Sequence, residues 1–370
     1  MILRWTLRNV FADRGSLLAA TGGIAVSLLL VLVLDGMFAG EAERIVSFLR
    51  DSGADVWVMQ PGVANVHMAS SLVRAELAKE VATVPGVASV TPILYVSAFV
   101  KAGGREWFSY VVGRRRDDEL AAPRRLVAGV ASALPGEAIL PDVVAAESGV
   151  GIGDRISFLG RDFRVSGITA GTYSMANSVT FASYEDLADL LASPDGASYL
   201  LVRAAAGVSP ERLAERIDGA VKDVDALPIA ELVDRDRRLA LQMGVDVIRV
   251  MTWIGALVAA VVVAFTVYSA VASRARELAV AKSLGAPGRS LLGAVVVHAL
   301  LLLALGYAAA CAIAIALRAV VERALPQIAI RYTTSTLAIV AVAATALALC
   351  AALVPARRVA RVDPALVFRG

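Results

Sequence analysis

Four long apolar runs, separated by more polar segments, dominate the pattern of this 370-residue chain. They occupy residues 16–38, 250–273, 291–317 and 335–354. A helix needs roughly 20 apolar residues to cross the hydrocarbon core of a bilayer, and each run is long enough. Residues 39–249, between the first two runs, contain no comparable stretch and can form one substantial domain or two small ones. The pattern therefore predicts four transmembrane helices, with an outer domain (residues 39–249) between the first and the second.

The outer domain has a mixed pattern of helical and alternating periodicity. Helical periodicity continues out of the first run to Gly53, and residues 229–249 lead helically into the second run, so two stalk helices would join the domain to the membrane. Short alternating strands at 155–159 and 163–168, around a Gly-Arg-Asp turn, indicate a small β-barrel or sandwich. Further strands are predicted at 54–62, 87–100, 106–112 and 198–203, and further helices at 72–84, 184–191 and from Ser209 to about Val221. The predicted fold is an α-helical membrane protein with a large α+β extracytoplasmic domain, composed of a core and a small β subdomain.

Composition and charge support a membrane protein and set its orientation. Hydrophobic residues make up 58% of the chain, and the mean hydropathy is +0.69. Segments 1–15, 274–290 and 355–370 together hold eleven basic and three acidic residues. Short basic segments remain in the cytoplasm, so the outer domain lies on the other side. The pI of 9.0 follows from this topology and does not indicate a nucleic-acid partner.

The short segments differ in character. Segment 1–15 alternates apolar and basic positions at helical spacing, as in an amphipathic helix in the cytoplasmic membrane interface; flanking sequence that only sets orientation explains it equally. Residues 318–334 form a short outer loop, and residues 355–370 a cytoplasmic tail. The cytoplasmic loop 274–290 is charged and must face water or a partner.

Small residues recur every fourth position in three of the apolar runs. Such spacing lets membrane helices approach closely. The first run carries Ala19, Gly23 and Ser27, which we predict to be a dimer-packing face. The third run carries Ala304, Ala308, Ala312 and Ala316, and the fourth Ala344, Ala348 and Ala352.

Residues for catalysis or metal binding are scarce. No GxxxxGK[ST] loop for ATP phosphates occurs, because Lys282-Ser283 lacks the preceding glycine loop. The two histidines form no HExxH motif, and Cys311 and Cys350 both lie in apolar runs. His298 is either a proton-linked group or a neutral histidine that is hydrogen-bonded near the interface. We expect no enzyme activity, no catalytic or metal site and no directly bound cofactor.

Several segments resemble one family along nearly the whole chain. RWTLRNVFADRGSLL (4–18), RARELAVAKSLGA (274–286) and PARRVARVDPALVFR (355–369) are similar to the permease subunits of the MacB/FtsX/LolC class of ABC transporters, the type VII fold. GADVWVMQPG and VPGVASVTP resemble the start of that class's periplasmic core domain, and GEAILPD and GVGIGDRISF its later part.

The resemblance implies a subunit of the bacterial inner membrane with both termini in the cytoplasm. It implies a second permease copy or close homologue, and a dimeric cytoplasmic ABC ATPase that binds ATP and Mg²⁺. Because no ATPase is fused here, the layout is more like that of DevC or LolC than that of MacB. Membrane lipid surrounds the spans, and an extracytoplasmic adaptor or substrate protein is a further expected partner.

The resemblance also gives the cytoplasmic loop a role, as the coupling helix that contacts the ATPase. Its residues would be Arg274, Arg276, Glu277, Lys282, Leu284, Gly285 and Ala286. ATP-driven helix motion would then move the outer domain to export or extract a substrate, a mechanism called mechanotransmission. The alternative is an FtsX-like signalling subunit that regulates an extracellular cell-wall hydrolase. A membrane-anchored structural or receptor protein without ATP coupling would leave the charged loop unexplained.

Overall fold

The computed structural model describes residues 14–243, 245–273, 280, 282, 286–325 and 327–361. Four of its helices are long and apolar enough to cross a membrane. They are α1 (Arg14–Ile45), α8 (Val245–Ala272), α9 (Gly288–Ala324) and α10 (Thr334–Arg361). The four predicted transmembrane helices are therefore confirmed.

The membrane helices extend beyond their apolar runs. Helix α9 continues to Ala324 rather than ending at residue 317, and Arg318 Nε lies 2.9 Å from Glu322 Oε1 one turn on, a pairing that supports a helix. The outer loop is accordingly shorter than residues 318–334. Helix α1 continues to Ile45, and after Val46 a short helix α2 (Ser47–Asp51) follows. The amphipathic segment predicted at 1–15 lies outside the described residues, except for its last two.

The membrane helices bury one shared apolar cluster. Ile24 and Leu32 of α1, Val263 of α8, Ala299 of α9 and Ala348 of α10 belong to it. The small residues Ala344, Ala348 and Ala352 of α10 are buried there, as predicted. On α9 the buried small residues are instead Ala294, Ala299, Gly306, Ala310 and Ala314. The predicted stripe Ala304, Ala308, Ala312 and Ala316 is exposed, because spacing alone does not fix which face of a helix turns inward.

Half of the outer domain is an antiparallel sheet with two crossover helices. Its strands are β1 (Val56–Met59), β3 (Val87–Ala102), β11 (Tyr199–Ala204) and β12 (Asp225–Pro228), in the order β12-β1-β11-β3. Helices α3 (Leu77–Ala82) and α6 (Pro210–Ala220) connect the strands and bury Val81 and Ile217 against Val58 and Val202 of the sheet. This is the order of a split β-α-β-β-α-β unit. The helix predicted at 72–84 is shorter, because residues Val73–Arg74 form strand β2 with β10 (Gly196–Ala197).

The other half is a ring of strands that begins and ends on β3. Its members are β4 (Arg105–Arg114), β9 (Ser178–Ser183), β6 (Glu137–Pro141), β8 (Arg161–Thr169) and β7 (Arg155–Phe158). Strand β7 pairs with β8 and also with β3, at Lys101↔Ser157, which closes the ring. Leu94, Val111, Leu140 and Phe163 belong to one buried cluster of its strands. Of the two predicted alternatives, a small β-barrel or a sandwich, the closed ring corresponds to the barrel. Strand β5 (Leu126–Gly129) pairs with β8, and helices α4 (Asp142–Ser148) and α5 (Tyr184–Leu190) follow β6 and β9.

A third buried cluster of the outer domain joins the sheet, the ring and the stalk helices. Phe48 of α2 and Leu232 of helix α7 (Ile229–Met243) are buried in the same cluster as Trp57 and Tyr199 of the sheet and Phe181 of the ring. Outer-domain residues Glu41–Val245, with Pro326–Ile328, form one compact unit. Both stalk helices are thus part of the packing of the outer domain.

Candidate coupling site

The structure describes only part of the predicted coupling helix. Arg274, Arg276, Glu277, Leu284 and Gly285 lie outside the described residues. Lys282 is helical and half-buried. Ala286 is half-buried and packs against the apolar cluster of the membrane helices. The role of these residues stays a prediction.

The predicted dimer face is split between two environments. Ala19 is exposed on α1. A Cβ at Gly23 would lie 3.5 Å from Thr266 Oγ1 of α8, within the same subunit. Ser27 is only 8% exposed, and its hydroxyl donates to the Gly23 carbonyl at 2.8 Å. Gly23 and Ser27 are therefore partly engaged inside the subunit, and contact with a second copy stays a prediction.

Metal binding finds no support within the described part of the chain. No group of three or more His, Cys, Asp or Glu side chains there is arranged to hold a metal ion. His298 is buried on α9, which fits both of its alternative interpretations.

Glu41 connects the first stalk helix to the outer domain. Its side chain lies near the end of α1 and is 8% exposed, and its Oε1 accepts a hydrogen bond from the Ala176 backbone N–H at 3.2 Å. A few residues on, the Ser47 hydroxyl donates to the carbonyl of Gly171 at 3.0 Å. The residues that connect β8 to β9 are thus hydrogen-bonded to the first stalk at two points.

Asp236 makes the corresponding connection from the second stalk helix, α7. Its side chain is 0% exposed, and Oδ1 accepts hydrogen bonds from the backbone N–H groups of Val66 at 3.0 Å and His67 at 3.4 Å. The His67 imidazole Nδ1 lies 3.0 Å from Asp236 Oδ2. Residues 60–72, between β1 and β2 and here named the Asp236 loop, are therefore tied to α7.

Tyrosines from the sheet and the ring bind the other side of the Asp236 loop. Tyr110 donates its hydroxyl proton to the carbonyl of His67 at 2.7 Å, and Tyr199 donates to the carbonyl of Ala69 at 3.3 Å. Burial, with a smaller contribution from the charge of Asp236, raises the pKa of Tyr110 to about 12. Burial also raises the pKa of Tyr199 and of Tyr95, whose ring stacks on Tyr110 at 4.9 Å. These hydroxyls stay protonated at neutral pH, so they remain hydrogen-bond donors.

The sequence analysis did not predict that Glu41 and Asp236 are buried, although the pattern around Asp236 indicates its burial. Leu232 and Val233 precede it by four and three residues, and both are buried in the core cluster. Residues at these spacings share a helix face, so Asp236 lies on the apolar face of α7. Glu41 has a weaker signal, since the apolar pattern around it continues that of a membrane helix.

Comparison with known proteins covers both halves of the chain. A family model described as MacB-like periplasmic core domain matches residues 17–220, and one described as FtsX-like permease C-terminal matches residues 249–364. An uncharacterized ABC transporter permease of Mycobacterium tuberculosis (strain ATCC 25618 / H37Rv) is 26% identical over 373 residues, 98% of each chain. A second from the same strain is 28% identical over 346 residues, 92% of each chain.

Two solved structures show partial similarity to this chain. The periplasmic region of MacB from Actinobacillus actinomycetemcomitans is 14% identical with a TM-score of 0.38, and the match covers 54% of this chain and 98% of that one. The extracellular domain of the ABC-type transporter YknZ from Gram-positive bacteria is 11% identical with a TM-score of 0.37, and the match covers 47% and 99%.

Proposed function

Because this chain belongs to the ABC transporter permeases that combine a MacB-like periplasmic core domain with an FtsX-like C-terminal region, we propose that it couples a separate cytoplasmic ATPase to movement of its outer domain. The movement exports or extracts a substrate. The family match does not favour the signalling alternative over this function.

The course of helix α1 is the observation that carries the proposal. At about 1.5 Å per residue, its 32 residues span roughly 48 Å, well beyond the roughly 30 Å hydrocarbon core of a bilayer. The same unbroken helix that crosses the membrane therefore carries Glu41, whose carboxylate is hydrogen-bonded to the backbone of Ala176. A displacement of the membrane part of α1 would reach the outer domain through regular helix and not through a flexible linker.

The ATPase is a separate chain in this proposal. The sequence contains no Walker A loop, so ATP and Mg²⁺ are bound by the partner. The coupling helix at 274–286 contacts that partner on the cytoplasmic side, where the basic termini also lie. A second permease copy completes the transporter.

Co-purification tests the proposal. The tagged chain is extracted from its native membrane in a mild detergent, co-purifying proteins are identified by mass spectrometry, and ATP hydrolysis is measured in lipid nanodiscs. We expect an ABC ATPase with Walker motifs to co-purify, and its hydrolysis rate to change on assembly with this chain. Recovery of the chain without any ATPase, in several mild detergents, would count against the proposal.

A further inference from the structure

We infer that the contact of Asp236 with His67 is the point at which helix α7 moves the Asp236 loop, so that stalk displacement reaches the exposed side of that loop. The inference rests on the proposed function and names positioning residues within it. It concerns the second stalk, which the course of α1 does not address.

The burial of Asp236 makes this contact specific. A carboxylate removed from water is costly unless it is paired or hydrogen-bonded. Among the ion pairs of the described residues, His67 is its only basic partner. The other groups that contact the Asp236 carboxylate are the backbone N–H groups of Val66 and His67. All three contacting groups come from one loop. Helix α7 therefore cannot move away from that loop without leaving a buried carboxylate without partners.

Unlike Asp236, four charged residues near it on α7 form ion pairs within the helix. Arg235 pairs with Glu231, and Arg238 with Asp234, one turn away on the same helix. These four side chains are partly or well exposed, and such pairs contribute little to stability. Asp236 is the charged side chain of α7, within its described part, that turns into the core.

The Asp236 loop is held by apolar packing and by hydrogen bonds from the strands. Val63 and Val66 are buried in the core cluster that includes Leu232 of α7. The hydroxyls of Tyr110 and Tyr199 bind two of its carbonyl groups from the strands. The loop therefore lies between α7 and the strands, where it is placed to respond to a shift of one relative to the other.

The contact between the His67 imidazole and the Asp236 carboxylate is close but is not an aligned hydrogen bond. His67 Nδ1 and Asp236 Oδ2 are 3.0 Å apart, yet neither atom makes an aligned hydrogen bond. Further along the loop, Met68 is 60% exposed. A small shift of α7 can thus tighten or break the contact. The resulting displacement of the loop would be detected by a label at the position of Met68.

Spin labelling of the full chain, assembled with its ATPase in nanodiscs, tests the inference. Cys311 and Cys350 are first replaced by alanine, and a single label is attached through Met68→Cys. A control label is attached through Glu211→Cys, at an exposed position of α6 in the same domain. Spectra and distances between labels of the two subunits are compared without nucleotide and with ATP plus vanadate.

Three variants separate coupling from stability. Asp236→Asn keeps an acceptor for the backbone N–H groups but removes the charge. His67→Phe removes the imidazole nitrogen that contacts Asp236, whereas His67→Asn retains a polar side-chain nitrogen close to the position of Nδ1. We expect the nucleotide-dependent change at Met68 to be lost in Asp236→Asn and His67→Phe and retained in His67→Asn, while the spectra without nucleotide stay the same.

The outcomes distinguish the inference from the proposed function. A full nucleotide-dependent change at Met68 in both Asp236→Asn and His67→Phe overturns the inference. A change at residue 211 but none at Met68 in the otherwise unaltered chain also overturns it and leaves the proposed function intact. No change at either position overturns both. If Asp236→Asn does not fold, the comparison of His67→Phe with His67→Asn decides.

Discussion

Gly40 of helix α1 is in close contact with the backbone of Ala329, since a Cβ at Gly40 would overlap the Ala329 carbonyl oxygen. One turn earlier, a Cβ at Gly36 would lie 2.7 Å from the ring of Tyr332, and the Gly36 carbonyl accepts a hydrogen bond from the Arg331 N–H at 2.8 Å. Two glycines four residues apart thus let the connection between α9 and α10 lie directly on α1.

Replacement of Gly40 by alanine is expected to destabilise this contact. The added methyl group meets backbone, which cannot turn aside as a side chain can, so we expect a loss of about 1–3 kcal/mol. Thermal unfolding of the full chain in detergent measures the effect. Gly293→Ala is the matched control, because a Cβ there meets nothing within 4 Å; equal losses in the two variants would contradict the packing argument.

Charge reversal in the coupling helix is expected to impair coupling. Glu277→Lys replaces an acidic residue of the loop that we propose to contact the ATPase, so stimulation of ATP hydrolysis by this chain should fall. The chain should remain folded, because the substitution exchanges one charged residue for another in a polar segment outside the apolar runs.

Glu215→Lys, at an exposed position of α6 in the outer domain, is the control for that experiment. It makes the same change of charge far along the chain from the coupling helix. Undiminished stimulation in Glu277→Lys would exclude a coupling role for this residue.

Cysteine crosslinking tests the predicted dimer face. In a chain with Cys311 and Cys350 replaced by alanine, Ala19→Cys should form a disulfide between two copies on oxidation, because Ala19 is exposed on α1. Ala20→Cys, buried in the subunit's own cluster, should crosslink much less. Monomer alone from Ala19→Cys, on a non-reducing gel, would remove this face from the dimer.

Alkaline pH is expected to weaken the outer domain through Tyr110. Its pKa is raised from 10.0 to about 12 in the folded chain, so between these values the unfolded chain has lost a proton that the folded chain still binds. Stability must then fall as the pH rises through this window. Thermal unfolding of the full chain between these pH values should show a shallower decline in Tyr110→Phe than in the original chain. An identical decline would show that Tyr110 does not contribute.

Much of the fold follows from local pattern. The apolar runs locate the four spans because each must cover the bilayer core with its own residues. The helix predicted from Ser209 to about Val221 is present as α6, and the Ser209 hydroxyl caps it by accepting the Arg212 N–H. The helix ends were less predictable, since Glu322 and Arg323 continue α9 past its apolar run.

The pairing of strands that are distant in the sequence could not be predicted from local pattern. Strand β3 pairs with β11 through its first part and with β4 through its second, and Pro92 in the middle gives no sign of the change of partner. The contacts of Asp236 with residues 60–72 depend on such pairing. His67 meets Asp236 across 169 positions of sequence, and only the folded sheet brings them together.

The register of β3 has a consequence for how this outer domain can vary. Ile93 is paired with Tyr199, and between them the chain runs through the whole ring before it returns to the sheet. The ring is thus an insertion whose two ends are neighbours. Evolution can lengthen, shorten or reshape its loops without changing the strand order of the sheet that carries α7.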